Sequence, residues 1–239
     1  MIRAALAILL AAAVAAAQAD RAVARTDSNS LRAHRQLLEK RRQGTIGVYF
    51  EGDSIVRRWG ALDQVDLLAN WQENFFGWNA ADFGWGSDTT QNILWRLENG
   101  ELDGVNPKAI VLLAGTTNIA RHDPPADIAK GIEAIVRVMQ EKAPGAVVIV
   151  TAIFPRSDNK ALLPAIRDVN ARLAQFADGK KVRYLDINDR LRPGMMETDG
   201  VHPTVEGYQV WADALKPLLT EILGPPAKED HAPPPSSDH

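Results

Sequence analysis

The chain contains no cysteine. That removes disulfides, thiol nucleophiles and cysteine-ligated metals, so the fold must rest on its core and the chemistry on oxygen and nitrogen groups. Neither sign of charge prevails: 27 Lys and Arg face 30 Asp and Glu, a formal net charge of −3. Such a balance supplies no electrostatic footprint for nucleic acid or for an anionic membrane surface. Histidine is scarce, with five residues, which narrows the search for a catalytic base.

Long apolar runs are also missing, except at the start, MIRAALAILLAAAVAAAQAD. Arg3, the apolar stretch and Ala17-Gln18-Ala19 follow the basic start, apolar centre and small-residue cleavage site of a secretory signal peptide. The run is too short to anchor comfortably in a bilayer and has no polar face. Residues 1–19 are therefore expected to be a signal peptide, and the protein to be secreted or periplasmic with no integral membrane segment after its removal. With 46% hydrophobic and 24% charged residues, the rest suits one globular domain over 20–223. The Pro-rich polar end, GPPAKEDHAPPPSSDH over 224–239, is expected to be disordered.

Within the domain, apolar runs alternate with helical patterns. Thr45–Phe50, Asn79–Phe83, Ala109–Leu113, Ala146–Phe154 and Val182–Ile187 read as strands. Helices are expected over the LRAHRQLLEKRRQ stretch, over TTQNILWRLENG, from Pro125 to about Glu141, from Leu162 to Phe176 and from Thr204 to Leu223. Runs that lack polar alternation indicate a parallel sheet covered on both faces, an α/β fold. Such sheets place ligands at the carboxyl ends of their strands. Ser54, Gly86 and Asn118 each follow a predicted strand end.

His231 and His239 lie in the tail, and His34 lies on a polar helix. Of the other two, His202 follows Asp199 by three residues in a short loop with a flexible Gly200. That spacing lets the carboxylate accept from one ring nitrogen and leaves the other as proton acceptor. Ser54 stands at a strand-to-helix turn and has in His202 a base it could use. Gly86 could offer a backbone N–H and Asn118 an amide where an oxyanion develops. Taken singly, each has a plainer reading: Ser54 as an N-cap, Gly86 as a tight turn, Asn118 as a strand-end turn residue, Asp-x-x-His as a surface loop.

Four segments in order read Gly52-Asp53-Ser54-Ile55, Gly84-Trp85-Gly86-Ser87-Asp88-Thr89-Thr90, Gly115-Thr116-Thr117-Asn118 and Asp199-Gly200-Val201-His202-Pro203. Together they resemble the SGNH (GDSL-type) hydrolases over about Ile46 to Leu223. The stretch containing DTTQNILWRLENGEL is similar to the catalytic subunits of the platelet-activating-factor acetylhydrolase group. The resemblance implies a three-layer, flavodoxin-like fold with a five-stranded parallel sheet. It implies Ser54 as nucleophile, His202 as base, Asp199 as the acid that orients it, and an oxyanion hole from the N–H groups of Ser54 and Gly86 and the Asn118 amide. Two departures stand out. Thr117 occupies the first of two positions where relatives often carry an amide, the amide that matters being aligned with Asn118. Glu51 precedes Gly52 where many relatives have an apolar residue.

An ordinary α/β-hydrolase would want Gly-x-Ser-x-Gly, and the chain has Gly52-Asp53-Ser54-Ile55-Val56. A metal site from Asp53, His122, Asp199 and His202 ranks below a metal-free triad, and no cofactor is expected. Secretion and the acetylhydrolase likeness point to acetyl esters, with acetylated carbohydrate as the leading substrate. Small-molecule or polysaccharide esters are thus the expected partners. A lysophospholipase or ether-phospholipid acetylhydrolase and a non-catalytic carbohydrate-binding protein are the alternatives. Trp85 and Ile55 are candidate substrate contacts, although Trp85 and Trp95 also read as packing residues.

Overall fold

The computed structural model of the protein describes Gln18 to Ser236, so most of the expected leader lies outside the described residues. Its sheet has five strands, β1 (Val48–Gly52), β2 (Ala80–Asp82), β3 (Ala109–Leu113), β4 (Val147–Thr151) and β5 (Val182–Leu185). They lie in the order β2-β1-β3-β4-β5, and every neighbouring pair is parallel. Parallel neighbours need crossovers that return the chain to the same edge, and helices supply them. The helices are α1 (Ser28–Lys40), α2 (Ser54–Trp59), α3 (Val65–Phe75), α4 (Thr90–Arg96), α5 (Thr116–Ala120), α6 (Pro125–Lys142), α7 (Leu163–Phe176) and α8 (Val205–Leu223).

The uninterrupted apolar strands now have their explanation, because both faces of the sheet are buried. Tyr49, Ile110, Leu112, Val148 and Val150 pack on one face against Leu37, Ile93, Ile132, Val136, Ile166 and Val169 from α1, α4, α6 and α7. Val48, Phe50, Val111, Leu113 and Ile149 pack on the other against residues of α2, α3 and α8. Trp59 lies at the centre of that second layer. The rings of Phe50, Trp71, Phe75, Tyr208 and Trp211 lie 4.9 to 6.1 Å from it. At about 0.5–1.5 kcal/mol per pair beyond area burial, these contacts fix α2 against α3 and α8. α2 begins at Ser54, so the cluster holds the candidate nucleophile in place.

α3 was not expected. Gln64 at its N-cap makes no side-chain cap bond, so the usual start signal is missing. What stabilises it is tertiary: Leu67, Trp71 and Phe75, four residues apart, all point into the second layer.

The terminal segment departs from the expectation of disorder. Residues 224–236 run along the β2 side of the sheet in hydrogen-bonded contact with three loops. Ala227 N–H donates to the Gly77 carbonyl (2.9 Å), Thr45 N–H to the His231 carbonyl (2.8 Å) and Leu62 N–H to the Ser236 carbonyl (3.0 Å). Asp230 accepts from the N–H groups of Gly77 and Asn79, and Ser236 Oγ accepts from the buried Lys40 Nζ at 2.9 Å. Loop N–H groups beside an edge strand need acceptors, and prolines lower the entropy cost of laying an extended segment over them. Ala19, on the leader side of the expected cleavage point, is buried, and its carbonyl accepts from Thr90 Oγ1 at 2.9 Å.

Candidate active site

β1 delivers the chain to the site through Gly52, whose α-carbon passes so close to β3 that a Cβ there would lie 2.2 Å from the Leu113 carbonyl oxygen. Only glycine allows that approach. Asp53 is extended and caps α2 by accepting from Ile55 N–H at 3.0 Å. Burial pushes the Asp53 carboxyl up, the Ile55 amide and Thr116 pull it back, and it sits at about 6. On the other side, the Tyr208 hydroxyl donates to the Ile55 carbonyl at 2.7 Å, which ties the turn to α8.

The loop before α8 brings the imidazole. His202 Nε2 lies 2.8 Å from Ser54 Oγ, and His202 Nδ1 lies 2.7 Å from Asp199 Oδ2. Since a carboxylate can only accept, Nδ1 carries the proton and Nε2 is left to accept from the serine hydroxyl. Asp199 Oδ1 accepts from the N–H groups of Val201 (2.8 Å) and His202 (3.0 Å). Burial alone would raise its pKa, but those two amides and the imidazole outweigh it and hold the carboxyl at about 2. Gly200 makes this loop possible. Its φ is +68°, and a Cβ there would lie 2.5 Å from Asp158 N. Arg58, four residues after Ser54, places Nη1 3.7 Å from Asp199 Oδ2.

The second loop is held from behind by buried charge. Arg96 donates from Nε to Asp88 (2.7 Å), from Nη2 to Glu51 (2.6 Å) and from Nη1 to both Glu101 and the Phe83 carbonyl. His34 Nδ1 meets Glu101 at 2.8 Å, and Arg25 Nη1 joins Asp88 (3.3 Å) to the Gly86 carbonyl (2.6 Å). Burial pushes the Glu51 carboxyl up, Arg96 opposes it, and it stays raised at about 8. The acid that looked out of place in β1 is thus a member of this cluster. Among the described residues the N–H groups of Ser54, Gly86 and Ser87 meet no protein acceptor. Ser87 is exposed and takes φ +63°, a left-handed conformation that costs a non-glycine residue about 1–3 kcal/mol.

Three of the expected site residues are buried. Ile55 is fully buried in the second layer and cannot touch substrate. Trp85 is buried as well, with its indole N–H on Ser30 Oγ (3.3 Å) and the Arg57 guanidinium 5.6 Å over its ring, and the cavity it lines, of about 330 Å³ beside α1 and the terminal segment, is one that neither Ser54 nor His202 lines. Asn118 has no exposed surface, and its side chain is fully engaged. Oδ1 accepts from Thr90 N–H (2.9 Å), while Nδ2 donates to Gln91 Oε1 (3.0 Å) and Asp123 Oδ2 (2.8 Å). A flipped amide would set Nδ2 against the Thr90 N–H and Oδ1 against the Asp123 carboxylate, so the orientation is determined by its partners. His122 is exposed, and the described residues contain no group of three or more His, Asp or Glu side chains fit to hold a metal ion.

Sequence reasoning missed the arginines. Arg96 carried a signal, a cation among Ile93, Leu94 and Leu97 on an otherwise apolar helix face. Arg156, which grips Asp158 at 2.6 Å and reaches the Thr116 carbonyl at 3.4 Å, had none. Two cavities, of about 330 and 420 Å³, flank the terminal segment, and neither is lined by Ser54, Asp199 or His202.

The GDSL-like lipase/acylhydrolase family matches residues 50–210. Platelet-activating factor acetylhydrolase IB subunit alpha2 of Rattus norvegicus is 34% identical over 192 residues, covering 74% of this chain and 77% of its own. Subunit alpha1 of Homo sapiens is 35% identical over 189 residues, covering 74% and 76%. A solved GDSL-like lipase from Bacteroides thetaiotaomicron superposes with a TM-score of 0.61 at 20% identity, over 74% of this chain and 88% of that one, and shares the fold.

Proposed function

The chain belongs to the GDSL-like lipase/acylhydrolase family and is a carboxylic ester hydrolase, and from that premise we propose that it removes acetyl groups through an acyl-enzyme on Ser54. The observation that carries this reading is the unbroken line Asp199–His202–Ser54, with contacts of 2.7 and 2.8 Å. In it, Ser54 Oγ attacks the ester carbonyl as His202 Nε2 takes its proton. The imidazolium that forms is stabilised by Asp199, whose depressed pKa keeps it ionised. Collapse of the tetrahedral species expels the alcohol with the proton from His202. A water activated by the same imidazole then releases acetate and restores the serine. The N–H groups of Ser54 and of the Gly86–Ser87 turn are the backbone donors to the oxyanion.

The acetyl group is favoured by the relatives, which are named for removing one. As the alcohol side we propose an acetylated carbohydrate met outside the cytoplasm, on the strength of the leader-like first residues. A second reading, acetyl removal from an ether phospholipid, is favoured by the name of those same relatives. The deciding experiment follows acetate release from acetylated xylan and from platelet-activating factor, beside p-nitrophenyl acetate, butyrate and octanoate. Carbohydrate acetylesterase action requires xylan deacetylation and activity falling with acyl length. Turnover of the phospholipid alone sinks the carbohydrate reading. Ser54→Ala should abolish every activity while leaving the fold intact, and retention of more than a few per cent removes Ser54 from its role. Export is checked by sequencing the N-terminus of protein recovered outside the cytoplasm.

A further inference from the structure

An oxyanion needs donors with a free hydrogen at the reacting carbon, and the fully buried Asn118 has none to give. Both its amide hydrogens are engaged, by Gln91 from α4 and by Asp123 after α5, and Thr90 N–H holds its carbonyl. To serve an oxyanion it would have to abandon a buried hydrogen bond, to the Gln91 amide or to the Asp123 carboxylate. Its neighbour is in the opposite situation. Thr117 is the one residue of Thr116–Ile119 that is not buried, and its hydroxyl has no partner among the described residues.

Its position is set from three sides. Leu113, at the end of β3, is in register with Gly52, at the end of β1. Thr116 lies beside Asp53, the residue before Ser54, close enough to draw that carboxyl's pKa down. Arg156 reaches the Thr116 carbonyl from the loop whose Ser157 N–H donates to Gly200, inside the Asp199–His202 loop. Thr117 therefore occupies the rim shared by the serine turn and the histidine loop, with a donor to spare.

We propose that the Thr117 hydroxyl, and not the Asn118 amide, is the side-chain donor to the oxyanion, a statement that rests on the Ser54 acyl-enzyme reading above. The hydroxyl keeps its proton throughout. Its O–H shortens onto the alkoxide oxygen as the carbonyl bond opens, and relaxes when collapse restores the carbonyl. A charge-assisted O–H···O⁻ bond suits this work, because it is strongest when the charge is present. Asn118 is a positioning residue that clamps α5 to α4.

The test compares wild type with Thr117→Val, which keeps the shape and loses the donor, Thr117→Ser, which restores it, Asn118→Ala and Ser54→Ala. Thr117→Val should lower kcat on p-nitrophenyl acetate by roughly 10² to 10³ with KM and thermal midpoint nearly unchanged. It should slow phosphonylation of Ser54 by a fluorophosphonate by a similar factor, since that reaction develops the same oxyanion. Thr117→Ser should stay within about fivefold of wild type. Asn118→Ala should show its damage first in the thermal midpoint. Thr117→Val with kcat within about twofold of wild type would falsify the assignment, as would an equal loss in Thr117→Ser, which would make the effect steric. Activity surviving in Ser54→Ala instead overturns the acyl-enzyme reading beneath it.

Discussion

The two walls of the site are held by opposite means. The histidine wall is a solvent-lapped loop whose carboxylate finds its hydrogen-bond partners locally: Asp199 bonds to residues two and three positions away, and its side chain is 45% exposed. The oxyanion wall is held by a buried cluster of long range, in which Arg96 joins Glu51, 45 residues away, to Asp88 and Glu101. A local loop can be cut at one residue without disturbing the rest of the fold. A buried arginine shared by three acids cannot, because its loss takes from all of them at once the cation that satisfies them away from water. The first wall is therefore where changes register as kinetics, and the second where they register as stability.

Removing the charge of Asp199 should have the largest effect. Asp199→Asn keeps an oxygen acceptor but frees the imidazole to take the wrong tautomer, so kcat should fall on the order of 10⁴-fold. The thermal midpoint should fall only modestly, because the half-exposed group's stabilising contacts are screened by water; a parallel collapse of the midpoint would deny the contrast between the walls. Arg96→Ala is the converse. It takes the shared cation from three buried acids, leaving Asp88 only the more distant Arg25 and Glu101 only His34, and should cost about 3–5 kcal/mol, lowering the midpoint by about 10 °C or more in a chain of this size. A folded, fully active Arg96→Ala with an unchanged midpoint would mean that the cluster is decorative.

This contrast also marks what could be read from the sequence. The strands were legible because buried parallel strands are apolar throughout, and Ala109–Leu113 coincides with its prediction to the residue. The serine, the imidazole and its carboxylate were legible because short spacings at strand ends carry them. Partnership across the fold was not. Whether residue 117 or 118 keeps a free donor is decided by Gln91, 27 positions earlier in the chain, and by the turn that returns Asp123. Glu51 looked like an oddity because its cation lies on another element. The terminal segment has the composition of a free tail, yet it meets loop N–H groups at Thr45, Leu62 and Gly77 that only the folded chain assembles.

The walls should also answer pH in opposite directions. Asp199, held at about 2 against an ordinary 3.8, stabilises the fold above its unfolded pKa. That contribution is lost as pH falls from 3.8 toward 2. Glu51, raised to about 8 from 4.5, binds a proton in the folded state that the unfolded chain has already released. Its contribution is present below 4.5 and is lost as pH rises toward 8. Glu51→Gln mimics the protonated acid, so its advantage over wild type should be nil near pH 4.5 and grow toward pH 8, read as a rising difference in thermal midpoint. A difference that shrinks over that interval would show that Glu51 is held ionised by Arg96 instead.

The smallest effect tests the hinge between the walls. Ser87 is forced to φ +63° because Arg25 holds the carbonyl before it and Arg96 the carboxylate after it. Glycine accepts that conformation freely but adds entropy to the unfolded chain, so Ser87→Gly sets a strain of about 1–3 kcal/mol against a loss of about 0.4–1 kcal/mol. The balance is a gain of about 1 kcal/mol and a midpoint higher by about 2–4 °C. Because the buried arginines and not the side chain of residue 87 set the turn, kcat should hold within about threefold, a scale far below the loss of one oxyanion donor. A midpoint that falls would show that the strained serine makes a stabilising contact of its own. A kcat that drops together with a rising midpoint would show that the strain, and not the arginines, aims the N–H groups of this turn.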